Sequence, residues 1–376
     1  MDMFTIRSAT EIVFGSGSRH KLGTQAASLG SRALLVTGRS APTRGNLVQE
    51  TRDTLEAAGV HMTLFAEVEP EPTLGTVERG REAFRAADCD LVIALGGGSA
   101  MDVGKAIGAL ANLTEPIAHY FSGAEILGPG APIIALPTTS GTGAEVTPNS
   151  VLTDPNTLHK ASIRGRTLMP SIAVVDPELT LPLPPQQTAF SGLDALTQAI
   201  ESYVSTGANP FSDPLAEESV RRLATSLRRA VADGSDLPAR EDLALGSLFA
   251  GLALASARLG LVHGLAHPLG ALYHLPHGRV CGWLHPTVMR FNLEVARDRY
   301  AHLAELIGLP AHAEALIEWI EALACDLGAC GSWQEAGLKE EDFDKLIPVA
   351  VSAGSSKFNP RPVTAEGVEE LLRQLL

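Results

Sequence analysis

Between residues 30 and 180, short apolar runs alternate with segments of helical period, and this alternation sharply narrows the folds open to the chain. The runs are Ala-Leu-Leu-Val at 33–36, His-Met-Thr-Leu-Phe at 61–65, Leu-Val-Ile-Ala-Leu at 91–95, Pro-Ile-Ile-Ala-Leu at 132–136 and Ile-Ala-Val-Val at 172–175. Runs of this length, bounded by Gly, Pro or Asp, suit parallel strands covered on both faces. Segments 46–58 and 74–84 between them read as helices. The expected first domain is therefore α/β, doubly wound around a parallel sheet. At 176–185, Asp-Pro-Glu-Leu-Thr-Leu-Pro-Leu-Pro-Pro ends the strand register, and helical periods follow with almost no strand-like runs. We expect a nucleotide-binding α/β domain over residues 1–185 and an all-α domain binding metal and substrate over 186–376. A chain of 376 residues is long enough for two cores of that size.

A formal net charge of -14 excludes a nucleic-acid partner, whose phosphates need a basic surface, and an anionic membrane surface. The longest apolar stretch, 243–257, is shorter than a bilayer span and is closed by Arg258, so it reads as a buried helix. Met1-Asp2-Met3-Phe4 carries no positive region followed by an apolar core, and the expected location is cytoplasmic. Cys89, Cys281, Cys325 and Cys330 form no CxxC pair, so neither disulfides nor a thiolate zinc site are expected.

The chemistry is concentrated in Gly260-Leu-Val-His263-Gly-Leu-Ala-His267-Pro-Leu-Gly-Ala-Leu-Tyr-His274-Leu-Pro-His277-Gly278, where four imidazoles fall within fifteen residues of a mainly apolar run. Buried imidazoles each need a metal, a carboxylate or a carbonyl. His263 and His267 share one helix face, and Pro276 and Gly278 place His277 in a turn from which it can swing back. Upstream, Asp194 and Gln198 sit one turn apart beside the apolar stripe of Leu193, Leu196, Ile200 and Tyr203. A carboxylate and an amide oxygen facing two imidazoles make a shell for Fe²⁺ or Zn²⁺.

Two glycine-rich loops complete the pattern. Gly96-Gly97-Gly98-Ser99, with Asp102 and Lys105 behind it, joins a strand to a helix start, where free amides and the helix dipole attract phosphate. Thr138-Thr139-Ser140-Gly141-Thr142-Gly143 follows the next strand, with Glu145 three residues after Thr142 as a possible capping box. Two phosphate-friendly loops and a metal shell suit a nicotinamide dinucleotide and a metal that polarises an alcohol.

These loops, Asp176-Pro177-Glu178-Leu179, Gly192-Leu193-Asp194-Ala195-Leu196-Thr197, the His263 to His277 segment and Asn359-Pro-Arg-Pro-Val363 together resemble the iron-containing (group III) alcohol dehydrogenase family across nearly the whole chain. The resemblance implies a dehydroquinate synthase-like architecture and a metal-dependent alcohol dehydrogenase or aldehyde reductase using NAD or NADP, acting as a homodimer on a small alcohol or aldehyde. It implies metal ligation by Asp194, His263 and His277, with Gln198 where the family usually carries His. An amide oxygen is the weaker ligand, so metal affinity is expected to fall or to rest on one Asp and two His, as in the related glycerol dehydrogenases. His267 matches a non-ligating position near the reactive centre and would relay a proton. Gly97, Gly98, Ser99, Asp102, Thr138, Thr139, Thr142 and Lys160 match cofactor-binding positions. NAD-preferring relatives carry an acid where this chain has Gly38-Arg39-Ser40, which could bond a 2′-phosphate and tilts the expectation towards NADP, although Glu71 replaces a commonly neutral residue. Two alternatives stay open: an oxo-acid reductase resembling maleylacetate reductases, recruiting Arg258 and Lys357, and a non-catalytic nucleotide-binding protein whose metal site decayed at Gln198.

Overall fold

The computed structural model describes residues 4–6, 8, 9, 11–43, 45–156 and 159–376. Met1, Asp2 and Met3, read above for a targeting signal, lie outside the described residues. The chain divides into two compact units, one of Arg7–Thr139 and Ala144–Leu181, the other of Met1–Ile6, Ser140–Gly143 and Pro182–Leu376.

In the first unit the strands are β1 (Glu11–Phe14), β2 (Arg32–Gly38), β3 (His61–Val68), β4 (Leu91–Gly96), β5 (Ile133–Pro137), β6 (Asn149–Asp154), β7 (His159–Arg164) and β8 (Ile172–Val175). The helices are α1 (Leu22–Ala27), α2 (Leu47–Ala57), α3 (Leu74–Ala86), α4 (Gly98–Leu110) and α5 (Ile117–Phe121). Among the described residues, six strands form a parallel sheet in the order β1-β8-β5-β4-β2-β3. Successive residues of one strand feed opposite cores: Leu34, Val36 and Val92 enter one cluster, and Leu35, Ile93 and Leu95 enter the other. β2 and β4 are thus apolar on both faces, which is why the apolar runs of their sequences are not interrupted by polar residues. All five apolar runs are strands of this sheet. β1 at the edge, half exposed, carries no such run, and β6 and β7 form a separate antiparallel hairpin.

Asp176 holds the end of β8 against the start of the chain. Its carboxylate accepts from the backbone amides of Gly17, Arg19 and Glu178 and from the Arg19 guanidinium, at 3.0–3.1 Å. Its motif is therefore structural in this chain.

The second unit is helical: α6 (Pro185–Val204), α7 (Ser212–Ala232), α8 (Leu237–Ala257), α9 (Leu261–Tyr273), α10 (His277–Leu306), α11 (Ala313–Asp326), α12 (Phe343–Ser352) and α13 (Ala365–Leu375). α8 is apolar nearly all round and largely buried, as a core helix must be. At its end Arg258 adopts φ +73°, and α9 leaves at 109° to α8. Among the described residues no single helix is long and apolar enough to cross a membrane.

Candidate metal centre

α6, α9 and α10 bring the predicted ligands together. Asp194, His263 and His277 offer donor atoms within 4.8 Å of one another, and Cys281 belongs to the same cluster. Asp194 Oδ1 lies 3.3 Å from His263 Nε2 and 3.6 Å from His277 Nε2, and His277 Nε2 lies 3.5 Å from Cys281 Sγ. Asp194 and His263 are each 4 % exposed. Burial raises the Asp194 carboxyl, but His277 and His263 bring it below the usual carboxylate range, so it stands ready as an anion.

His263 is held from behind. Its Nδ1 lies 2.6 Å from Glu201 Oε2, and Glu201 Oε1 accepts from the Val262 amide at 2.7 Å. Burial alone would lower the His263 pKa, yet Glu201 and Asp194 raise it to about 10. A carboxylate behind one ring nitrogen leaves the other aimed at the cluster, the usual support of a metal-ligating imidazole. Asn359 Oδ1 in turn accepts from the Leu261 amide at 3.1 Å and from Asn292, fixing the first turn of α9. This gives the 359–363 tail a place in the site's support.

One expectation needs correction: His277 does not sit in a turn; it opens the 30-residue helix α10, and the turn is made just before it, with His274 at φ +53°. Cys281, which the absence of a CxxC pair left out of the expected metal shell, is fully buried one helical turn after His277 and faces the same cluster. Pair spacing detects thiolate sites built on loops and cannot see one thiol added along a helix from a histidine. Glu201 escaped notice for a similar reason, lying two turns beyond Asp194 on α6.

Gln198 is 4 % exposed, and its Oε1 has no hydrogen-bond partner among the described residues. A buried amide oxygen without a donor is costly and is the mark of a missing partner such as a cation. Two imidazoles, a carboxylate and a thiol within 4.8 Å of one another make a donor set that fits a divalent metal. His267, half-buried, stacks on His277 at 4.8 Å between ring centroids and 16° between planes. Pro268 follows inside α9, breaking one helical hydrogen bond there.

Gly278 explains how α10 reaches α6. A Cβ at this position would lie 2.1 Å from the Phe190 carbonyl oxygen, a backbone atom that cannot swing aside. Gly278→Ala is therefore expected to cost about 1–3 kcal/mol through overpacking and to shift His277 from Asp194. Thermal unfolding and metal titration of the variant would register both effects, and an unchanged protein would contradict this packing.

In the α/β unit, Gly97 precedes α4 in extended conformation, and no side chain caps the helix start at Gly98 and Ser99. Its first amides are left for an anion. Lys105 is fully buried: its ammonium donates to the Ala144 carbonyl at 2.9 Å and to Thr147, and lies 3.5 Å from Asp102. It thereby ties the return of the threonine-rich loop to α4. Burial pushes the Asp102 carboxyl up to about 6 against the pull of Lys105. The Thr138 amide donates to the Gly96 carbonyl at 2.9 Å, and Thr139 Cγ2 would lie 3.2 Å from a Cβ at Gly97, so the two loops are close neighbours. Glu145, part of the anticipated capping box, is buried and falls in a short 3₁₀ turn. Thr142 belongs to the segment that packs with the helical unit, where Gly143 approaches Gly251.

Further along the sheet edge, Gly38 ends β2, and Ser40 follows it. The Arg39 guanidinium donates to the Glu67 carbonyl at 3.0 Å and lies 3.5 Å from Glu69. Glu69 was not singled out in the sequence; Thr73 and Thr76 hold it ionised despite burial. Lys160 on β7 pairs with Glu71.

Comparison with known proteins agrees with this geometry. The family model for iron-containing alcohol dehydrogenases matches residues 9–177, and that for the family's C-terminal domain matches 188–376. A 1,3-propanediol dehydrogenase of Citrobacter freundii is 39% identical over 353 residues, covering 92% of this chain and 91% of that one. An NAD-dependent methanol dehydrogenase of Bacillus methanolicus is 34% identical over 373 residues, covering 97% of each. A crystal structure of a 1,3-propanediol oxidoreductase superposes with a TM-score of 0.95 at 38% identity, covering 100% of both chains.

Proposed function

We propose, for a chain that belongs to the iron-containing alcohol dehydrogenase family and is thus an oxidoreductase of CH–OH groups, that it interconverts a small alcohol and its aldehyde or ketone with a nicotinamide dinucleotide as hydride carrier. The observation that carries this reading is the convergence of Asp194, His263 and His277 on one point inside the helical unit. These three hold a divalent cation, Fe²⁺ or Zn²⁺, and the buried Gln198, one turn from Asp194 on α6, supplies a further, weaker oxygen donor. A cation in that place supplies Lewis-acid polarisation of the alcohol or carbonyl oxygen.

The chain's own side chains do the rest. Glu201 keeps the His263 ring in register. His267, stacked on His277 and half open to water, carries the proton between the reacting hydroxyl and solvent. In the α/β unit, Gly97, Gly98 and Ser99 at the uncapped start of α4 receive the pyrophosphate, with Asp102, Thr138, Thr139 and Lys160 holding the nicotinamide and ribose side.

Gly38, Arg39 and Ser40 favour NADP. Gly38 presents no carboxylate to repel a 2′-phosphate, and Arg39, with its side chain 63 % exposed, can turn from Glu69 to meet one. Arg39→Ala should lower kcat/KM for NADPH roughly tenfold, about 1.4 kcal/mol, and leave NADH within about twofold. Equal losses with both coenzymes would show that Glu69, not a phosphate, is the partner of Arg39. Cysteines without a disulfide among the described residues suit a reducing, cytoplasmic compartment, and the family resemblance supports a homodimer, which light scattering would test. The reading as a whole is tested by oxidation of NADPH and NADH against a panel of short aldehydes; no turnover with any of them by metal-replete protein would overturn it.

A further inference from the structure

We propose that Cys281 is a fourth protein ligand of the cation, taking the place that an imidazole at position 198 would otherwise fill. The inference rests on the metal-site reading above and deepens it.

The argument is geometric. With metal bonds of about 2.0–2.1 Å to nitrogen or oxygen and 2.3 Å to sulfur, donors around a tetrahedral ion stand about 3.3 Å apart for nitrogen and oxygen, and about 3.5 Å apart where one is sulfur. The pairs here are 3.3 and 3.6 Å for Asp194 Oδ1 with the two imidazoles and 3.5 Å for Cys281 Sγ with His277 Nε2. Three of the six donor pairs therefore already stand at the separations of a tetrahedral metal shell, and all four donors lie within 4.8 Å of one another. The fully buried Cys281 thiol points at the polar cluster of two imidazoles and a carboxylate rather than into the apolar core.

Position gives the second support. Asp194 and Gln198 are one turn apart on α6, and His277 and Cys281 are one turn apart on α10. Loss of an imidazole from the first helix is matched by a soft donor on the second. The Gln198 amide oxygen is a weaker donor than the imidazole it replaces.

Charge also closes. On binding, the Cys281 thiol gives its proton to solvent as its sulfur bonds to the cation, and thiolate plus Asp194 carboxylate then balance the two positive charges. A thiolate in the shell selects zinc or cobalt over magnesium and manganese.

X-ray absorption at the zinc edge reads this directly. It should be made on stoichiometrically zinc-loaded full-length protein carrying Cys325→Ser and Cys330→Ser, which removes the two thiols that are not buried. The expected spectrum contains a sulfur shell at about 2.3 Å beside nitrogen and oxygen at about 2.0–2.1 Å. Adding Cys281→Ser should abolish the sulfur shell and weaken zinc binding about 10- to 100-fold, with the far-ultraviolet circular dichroism unchanged. A loaded protein showing only nitrogen and oxygen neighbours would overturn ligation by Cys281 and leave the site of Asp194, His263 and His277 standing. A sulfur shell surviving Cys281→Ser would also overturn it, and failure to bind zinc, cobalt or iron at all would overturn both readings.

Discussion

Asp194→Asn should leave the protein folded but cut kcat/KM by at least about three orders of magnitude, about 4 kcal/mol of transition-state stabilisation. The amide keeps the shape of the carboxylate and removes the charge that faces His263 and His277. Two imidazoles without that anion hold a divalent cation poorly, and metal content should fall in parallel with activity. Elemental analysis and steady-state rates on the same preparation check the pair of effects. Full activity with a normal metal load would show that Asp194 is not a ligand.

Glu201→Gln should produce the second large loss, although Glu201 stands one residue removed from the cation. Its carboxylate fixes both the His263 ring and the first turn of α9, and replacing such a support typically lowers metal affinity 10- to 100-fold. A pH signature accompanies it. In metal-free protein the folded-state His263 pKa is raised from 6.5 to about 10, so the stability it contributes is complete below about 6.5 and is lost as pH rises towards 10. Thermal unfolding of chelated wild-type protein should therefore fall across that window, and Glu201→Gln should flatten the fall. A parallel decline in both proteins would assign the pH dependence to other groups.

Much of this was legible beforehand because burial leaves plain marks. Strands covered on both faces have no polar positions, so residues 91–95 and 132–136 declared themselves, whereas the four-residue edge strand Glu11–Phe14 buries too little to do so. Asp194, His263 and His277 stood out as polar side chains amid apolar helix faces. Cys281 and Glu201 did not: a buried cysteine looks like any small apolar residue, and a glutamate two turns from an aspartate looks like a solvated face. Only the packing of α6 against α9 and α10 shows that both turn inward. The same holds for Glu69, which approaches Arg39 across neighbouring strand ends.

The central claim is that a divalent cation held by Asp194, His263 and His277 is required for alcohol and aldehyde interconversion. The most direct measurement is turnover of NADPH and NADH with a short aldehyde, followed on one preparation through chelation and stepwise return of Fe²⁺ or Zn²⁺. The account predicts that activity vanishes with the metal and returns in proportion to metal bound, saturating at stoichiometric occupancy. Undiminished turnover in protein shown by elemental analysis to be metal-free would contradict it.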